Sequence, residues 1–345
     1  MHPGSTGSSA AGRPPDRGQQ PLLGSPGGGG ARLRRAPGPT GRLGPPAGSN
    51  LSSVAVVTDS TADLPADLVR SRGVTVVPLT VTLEGKEYLD GVDITADEFY
   101  TRLHGANGPV ATTSQPAPAR FQEVYRQLLQ DHDEVISLHI SEKLSGTYAA
   151  AVQGAELAGA GDRVRVVDSA MVSMPLGLMV LAATEVAAGG SAGEVVERLD
   201  ALRREVTVFF MVSTLEYLRR GGRIGAANAL LGSVLQVKPV LTIRDGQVTP
   251  LERVRTRERA LARVIDLVRE QDRGQGLCAI VGHAAAEATA ERIASEIEPG
   301  CDTLLVQPLG PVVGAHAGPG TVGVGCYPAE LLPLGLKKVS AAAAR

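Results

Sequence analysis

The sequence predicts an α/β protein of two domains, an N-terminal doubly wound parallel sheet followed by an α+β domain. Three observations predict it. From Val54 to about residue 204, short β-branched runs alternate with segments of helical spacing, the pattern of parallel strands joined by crossover helices. Beyond about residue 205, hairpin signals mix with helices, and Asp245-Gly246 is a strong two-residue turn. Of 345 residues, 43% are hydrophobic and only 3% aromatic, enough aliphatic mass for a large core. The expected divisions are a leader 1–50, domains 51–204 and 205–335, and a tail 336–345.

Taken in order, residues 54–58 are a β-branched strand closed by Asp59-Ser60-Thr61, and 63–70 have helical spacing with Pro65 in the first turn. Residues 74–82 read as a strand that Pro78 breaks or sends to an edge, and 83–86 as a turn. Thr95 with Glu98 three residues on is a capping box. A loop at 111–118 precedes a helix at 119–129. Residues 135–140 form a strand, 141–146 a loop, 147–157 an Ala-rich helix and 163–167 a strand ending in Asp168-Ser169. The next helices fall at 176–188 and 191–204, a strand at 206–212, and a short helix at 215–219 before the turn 220–224. A hairpin follows (237–243, Asp245-Gly246, 248 onward), then helix 258–270, strand 279–282, helix 285–297 and strand 303–307. A Gly/Pro-rich loop at 308–320 leads to a last strand at 322–326.

Charge and composition exclude several functions. The leader holds 13 Gly, 9 Pro and six Arg against the single acid Asp16, so about +5 of charge sits there and about −7 on the rest. It lacks the roughly 7–15 apolar residues of a secretory signal. It reads as a disordered extension or a start site placed too early. No segment reaches the ~20 apolar residues of a membrane span; the nearest, 171–183, contains Ser173 and Pro175. With no Trp, 4 Phe and 6 Tyr, base-stacking platforms are not expected, and the net charge of −2 argues against nucleic-acid binding. Cys278, Cys301 and Cys326 form no CxxC and read as buried thiols in a reducing cytoplasm. No metal-ligand cluster, phosphate loop or kinase signature is present.

Open α/β sheets bind ligands in loops beyond the carboxyl ends of their strands. Asp59-Ser60-Thr61 is one such loop, although its acid would repel an anion. The loop 141–147, with Ser145 at the start of a helix, and Thr112-Thr113-Ser114-Gln115-Pro116 offer hydroxyls and backbone N–H groups that suit a carboxylate or phosphate. Helix capping is the plainer role for the same residues. His316 is read as a ligand donor, a base or a surface histidine. A Ser145–His316 hydrolase is the alternative, but Ser145 is not in a G-x-S-x-G elbow and no acid lies near His316 in sequence. Gly189-Gly-Ser-Ala-Gly193 matches that elbow only in letters, since it joins two predicted helices. Gly318-x-Gly320-x-x-Gly323 lacks the strand–turn–helix context of a dinucleotide site. Arg219-Arg220-Gly-Gly-Arg223 is a phosphate site or a solvated turn.

Six ordered motifs resemble the DegV family: Val57-Thr-Asp-Ser-Thr-Ala-Asp-Leu64, Thr113-Ser-Gln-Pro116, Leu144-Ser-Gly-Thr-Tyr148, Leu218-Arg-Arg-Gly-Gly-Arg-Ile224, Lys238-Pro239 and Gly314-Ala-His-Ala-Gly-Pro-Gly320. The resemblance runs from about Val54 to Pro328. It implies a fatty-acid-binding protein of two α/β domains, with the acyl chain buried and the head group between the domains. It further implies a non-enzymatic carrier subunit of a bacterial fatty acid kinase. A separate ATP-dependent kinase would phosphorylate the bound carboxylate, and the acyl phosphate would enter phospholipid synthesis. Thr113 or Ser114, with Ser145 and Gly146, would hold the carboxylate of a long-chain acid such as palmitate, and His316 would complete the set. Arg223 would serve kinase docking or the transferred phosphate. No cofactor is implied beyond the bound acid. Met171, Met174, Met179 and Met211 are adaptable lining candidates, although such positions are more often ordinary core.

Overall fold

The computed structural model describes residues 53–103, 111–230 and 238–336. The leader 1–50, His104, Val237 and the tail beyond residue 336 lie outside these. Strand β1 (Val54–Asp59) is followed by α1 (Ala66–Ser71), β2 (Thr75–Val77), β3 (Thr80–Leu83), β4 (Lys86–Leu89), α2 (Ala96–Arg102), β5 (Thr112–Ser114), α3 (Pro118–Leu128), β6 (Glu134–His139), α4 (Thr147–Ala158) and β7 (Val164–Asp168). Strands β2, β1, β6 and β7, in that order, form an all-parallel sheet. Its two central strands are buried along nearly their whole length, which is why they read as continuous apolar runs rather than alternating ones. On one face Phe121, Tyr125, Ala150 and Ala151 of α3 and α4 close over Val57 and Val135.

The other face receives α5 (Met174–Ala187) and α6 (Ala192–Leu202). Every residue of α5 from Met174 to Thr184 is buried. A helix apolar all round must be covered all round, and α5 packs against β1 on one side and against a second sheet on the other. Its apolar stretch is thus an interior helix, and among the described residues no helix is long and apolar enough to cross a membrane. The second sheet is built from β8 (Thr207–Met211), β9 (Lys238–Arg244), β10 (Gln247–Val254), β11 (Leu277–His283), β12 (Cys301–Pro308) and β13 (Val322–Pro328). Its order is β10-β9-β8-β13-β11-β12, antiparallel throughout except for the β11–β12 pair. Between these strands run α7 (Glu216–Arg220), α8 (Arg257–Arg269), α9 (Glu287–Ile297) and α10 (Pro311–Ala317). Helices α8 and α9 cover the face away from α5 through Leu261, Val264 and Ile293. The fold class is therefore as expected, a parallel sheet first and a mixed sheet after it.

Four local expectations are corrected. The segment 308–320 is not all loop: α10 occupies Pro311–Ala317, with Pro at its first turn and Gly318 at φ +77° ending it. The same Gly and Pro that read as loop are the start and stop of a short helix. Within 111–118, Thr112–Ser114 is strand β5, pairing antiparallel with β3 so that Val81 faces Thr113. β3 and β4 complete that small sheet. The first helix begins at Ala66 rather than 63, because Asp63 adopts a left-handed conformation at φ 52°. Pro78 does break its strand, and β2 and β3 enter different sheets. Finally, of the four candidate methionines only Met174 lines the cavity described next; Met171, Met179 and Met211 are core.

Candidate functional site

The parallel sheet reverses its winding between β1 and β6, and the carboxyl ends of these strands open into a crevice where such folds bind ligands. A cavity lies there, with about 800 Å³ of empty space when the open solvent at its mouth is included. β1 leads into Thr61, β6 into Ile140 and the Ser145 loop, α5 begins with Ser173 and Met174 at the wall, and β5 supplies Thr113. The second sheet contributes Val208, Phe210, Ile243 and Val248, and α10 contributes Val312, Val313 and His316.

Polarity is graded along this cavity. Val208, Ile243, Val248, Leu309 and Val312 are buried, whereas Thr113, Ser145 and His316 are half-buried and Arg223 is exposed. Three further hydroxyls touch the cavity, and each donates to an internal acceptor: Thr61 to Asp59 Oδ1, Ser173 to Asp63 Oδ2, and Thr321 to the carbonyl of Ala317. They present little hydrogen-bonding demand to a ligand. Thr113, Ser145, His316 and Arg223 therefore form the polar end, at the surface, and aliphatic side chains form the interior.

The polar end is assembled across long sequence distances. Thr113 Oγ1 meets His316 Nε2 at 2.8 Å. Ser145 Oγ is 2.8 Å from Thr147 Oγ1 and accepts from the Thr147 amide, the first of α4, at 3.3 Å while lining the cavity. Arg223 donates from Nε to the Leu144 carbonyl at 3.1 Å and from Nη1 to the Gly221 carbonyl at 2.7 Å, tying its turn to the Ser145 loop. The Arg-Arg-Gly-Gly-Arg motif has a steric reason. A Cβ on Gly221 would overlap His316 Nδ1, and Gly222 turns the chain at φ +68° to bring Arg223 to the mouth. Burial, and then the Arg223 charge, hold the His316 imidazole down to about 4, so near neutral pH it is an uncharged ring. Its Nδ1 has no hydrogen-bond partner among the described residues.

Thr113, Ser145, His316 and Arg223 thus come together. Ser114 is exposed at the end of β5, and Gly146 is the N-cap of α4 with the Gln115 side chain against it; neither lines the cavity. Asp59, expected to repel an anion, is fully buried and turned inward, where it binds His139 Nδ1 and the Ile140 amide, each at 3.0 Å. His139 continues to Ser137 at 2.7 Å and Ser137 to Tyr125 at 2.8 Å. This Ser–His–Asp sequence of hydrogen bonds has triad distances but lies fully buried within the sheet, closed to any substrate. The Thr61, Ser173 and Thr321 contributions were not foreseen as lining; only the position of Thr61 beyond a strand end signalled its place.

A sequence profile described as "Uncharacterised protein, DegV family" matches residues 53–329. A DegV domain-containing protein of Streptomyces coelicolor is 44% identical over 276 residues, 79% of this chain and 97% of that protein. Among solved structures, a fatty-acid-binding DegV family protein from Thermus thermophilus is 40% identical with a TM-score of 0.75, covering 80% of this chain and 99% of that one. DegV of Bacillus subtilis, a fatty acid binding protein, is 31% identical with a TM-score of 0.74, covering 80% and 99%.

Proposed function

The chain belongs to the DegV family, and from that premise we propose that it binds a long-chain fatty acid and presents it to a separate kinase. The acyl chain fills the aliphatic interior, and the carboxylate sits at the half-exposed end among Thr113, Ser145 and His316. The observation that carries this reading is the gradient of polarity, with inner hydroxyls turned to internal acceptors and the half-buried Thr113, Ser145 and His316 gathered at the mouth. Removing a tail of about 16 carbons from water, at roughly 0.8 kcal/mol per CH₂, supplies roughly 10 kcal/mol before the costs of association. The head group is fixed by hydroxyls and a neutral imidazole, so one carboxylate oxygen stays accessible.

Phosphorylation to the acyl phosphate then falls to an ATP-dependent partner in the cytoplasm, which docks at the exposed Arg223. The hydrolase alternative finds less support. His316 Nε2 is engaged by Thr113 rather than Ser145, and no acid orients the other ring nitrogen among the described residues. Dissociation constants for a long-chain acid and its methyl ester test the reading. Thr113→Val and Ser145→Ala are expected to weaken the acid about tenfold, the worth of one charge-assisted hydrogen bond, and to leave the ester unchanged. Equal weakening of acid and ester would place the head group elsewhere.

A further inference from the structure

Helix α10 carries His316 at one end, and at the other it begins against two buried carboxyl groups that the proposed function does not use. Asp63 Oδ1 accepts the Gly310 amide at 2.9 Å, and its Oδ2 accepts the Ser173 hydroxyl. Asp90 is set against the Val312 amide and the Ser60 hydroxyl, while its Oδ2 has no hydrogen-bond partner among the described residues. Both close on one backbone point. A Cβ built on Gly310 would fall 2.7 Å from Asp63 Oδ1 and 3.3 Å from Asp90 Oδ1. Asp63 and Ser173, which bond to each other, both hold positive φ, 52° and 62°. Non-glycine residues persist there only where their surroundings dictate it.

We propose that Asp63 and Asp90 are positioning residues that together clamp the first turn of α10 and so set where His316 stands relative to Thr113. The clamp rests on the fatty-acid reading for its purpose, but its geometry does not depend on a ligand. α10 has few other means of fixing its start. It has no side-chain cap of its own, and Pro311 brings no N–H. Tyr100 braces the same helix, donating to the Leu309 carbonyl at 3.0 Å and packing on Gly314. The titratable groups facing the carboxyl pair are Asp59 from the end of β1 and Tyr100 from α2. Neither is a cation, so two ionised carboxylates would repel each other and Asp59 with hydrogen bonds but no opposite charge to offset it. Burial accordingly pushes Asp63 well above the usual carboxylate range and Asp90 up to about 7. The pair thus retains a proton near neutrality, and a neutral amide isostere can stand in for the protonated member.

The test uses the full chain freed of lipid. His316 is titrated by NMR of the imidazoles, and affinities for a long-chain acid and its methyl ester are measured. Asp63→Ala and Asp90→Ala are expected to loosen α10, rehydrate the ring and move the His316 titration up toward the ordinary 6.5. They should also cut the preference for acid over ester about tenfold. Mere loss of a nearby negative charge would move the titration down instead. Asp63→Asn and Asp90→Asn are expected to restore both properties. If the alanine variants do not fold, Gly310→Ala, which wedges a methyl between helix and carboxyls, is expected to shift the same titration. Folded alanine variants, or Gly310→Ala, with the wild-type His316 titration and wild-type acid preference would overturn the clamp. Wild-type protein that binds neither acid nor ester, while His316 still shifts in the variants, would sink the fatty-acid reading and leave the clamp standing.

Discussion

At the scale of single residues, the polar end behaves as a set of neutral donors with one cation at its rim. His316 carries the sharpest expectation. Its imidazole is held at about 4 against an ordinary 6.5, so the unfolded chain binds the extra proton between those values. Its contribution to stability is complete above 6.5 and is lost as pH falls through about 4. Replacing it by Gln should flatten the stability profile in that window, a change that urea unfolding at several pH values reads directly. A bound carboxylate would oppose the Arg223 charge and raise the His316 titration, whereas a methyl ester would leave it in place. Arg223→Ala is expected to spare fatty acid binding and to lower acyl phosphate yield with the kinase. Equal yield from variant and wild type would remove the docking role. These residues were legible as motif members, but their partnership was not. Thr113 and His316 are 203 positions apart, and Asp63 and Gly310 are 247 apart, so only the folded chain brings them together.

At the scale of elements, α5 shows what a sequence states plainly and α10 what it hides. The run from Met174 to Thr184 has no polar face, and the fold covers it between two sheets. Leu178, fully buried there, should cost about 2–5 kcal/mol when cut to Ala, measured by denaturant unfolding. The regular elements were readable for the same reason, since each has one face or two to bury. The seven residues of α10 and the three of β5 were not. A helix of two turns framed by Gly and Pro carries no periodicity to read, and Thr112–Ser114 becomes a strand only because β3 offers its edge. Both belong to the polar end, so the site was assembled from the least legible parts of the chain. Asp90 adds a pH effect of its own. Its proton is held to about 7, so its contribution is full below the ordinary carboxylate value of 3.8 and is lost as pH rises through 7. Asp90→Asn should therefore gain stability over wild type above pH 7, with little difference near pH 4.

At the scale of the whole molecule, scarce aromatics and abundant aliphatics take on a sharper meaning. They build a largely aliphatic cavity where two sheets and a shared helix meet, with Phe210 the one Phe, Tyr or Trp on its wall among the described residues. A ligand that spans this cavity touches α5, both sheets and α10, and so should stabilise the fold as a unit. Long-chain acid at a hundredfold excess over its dissociation constant should add about 2.7 kcal/mol to unfolding, and a short-chain acid much less. The central claim, that this cavity holds a fatty acid, is tested most directly by mass spectrometry of the purified protein before and after mild denaturation. The expected result is a long-chain fatty acid released in stoichiometric amount. Protein that carries no lipid and takes none up, yet turns over p-nitrophenyl esters in a manner abolished by Ser145→Ala, would contradict it.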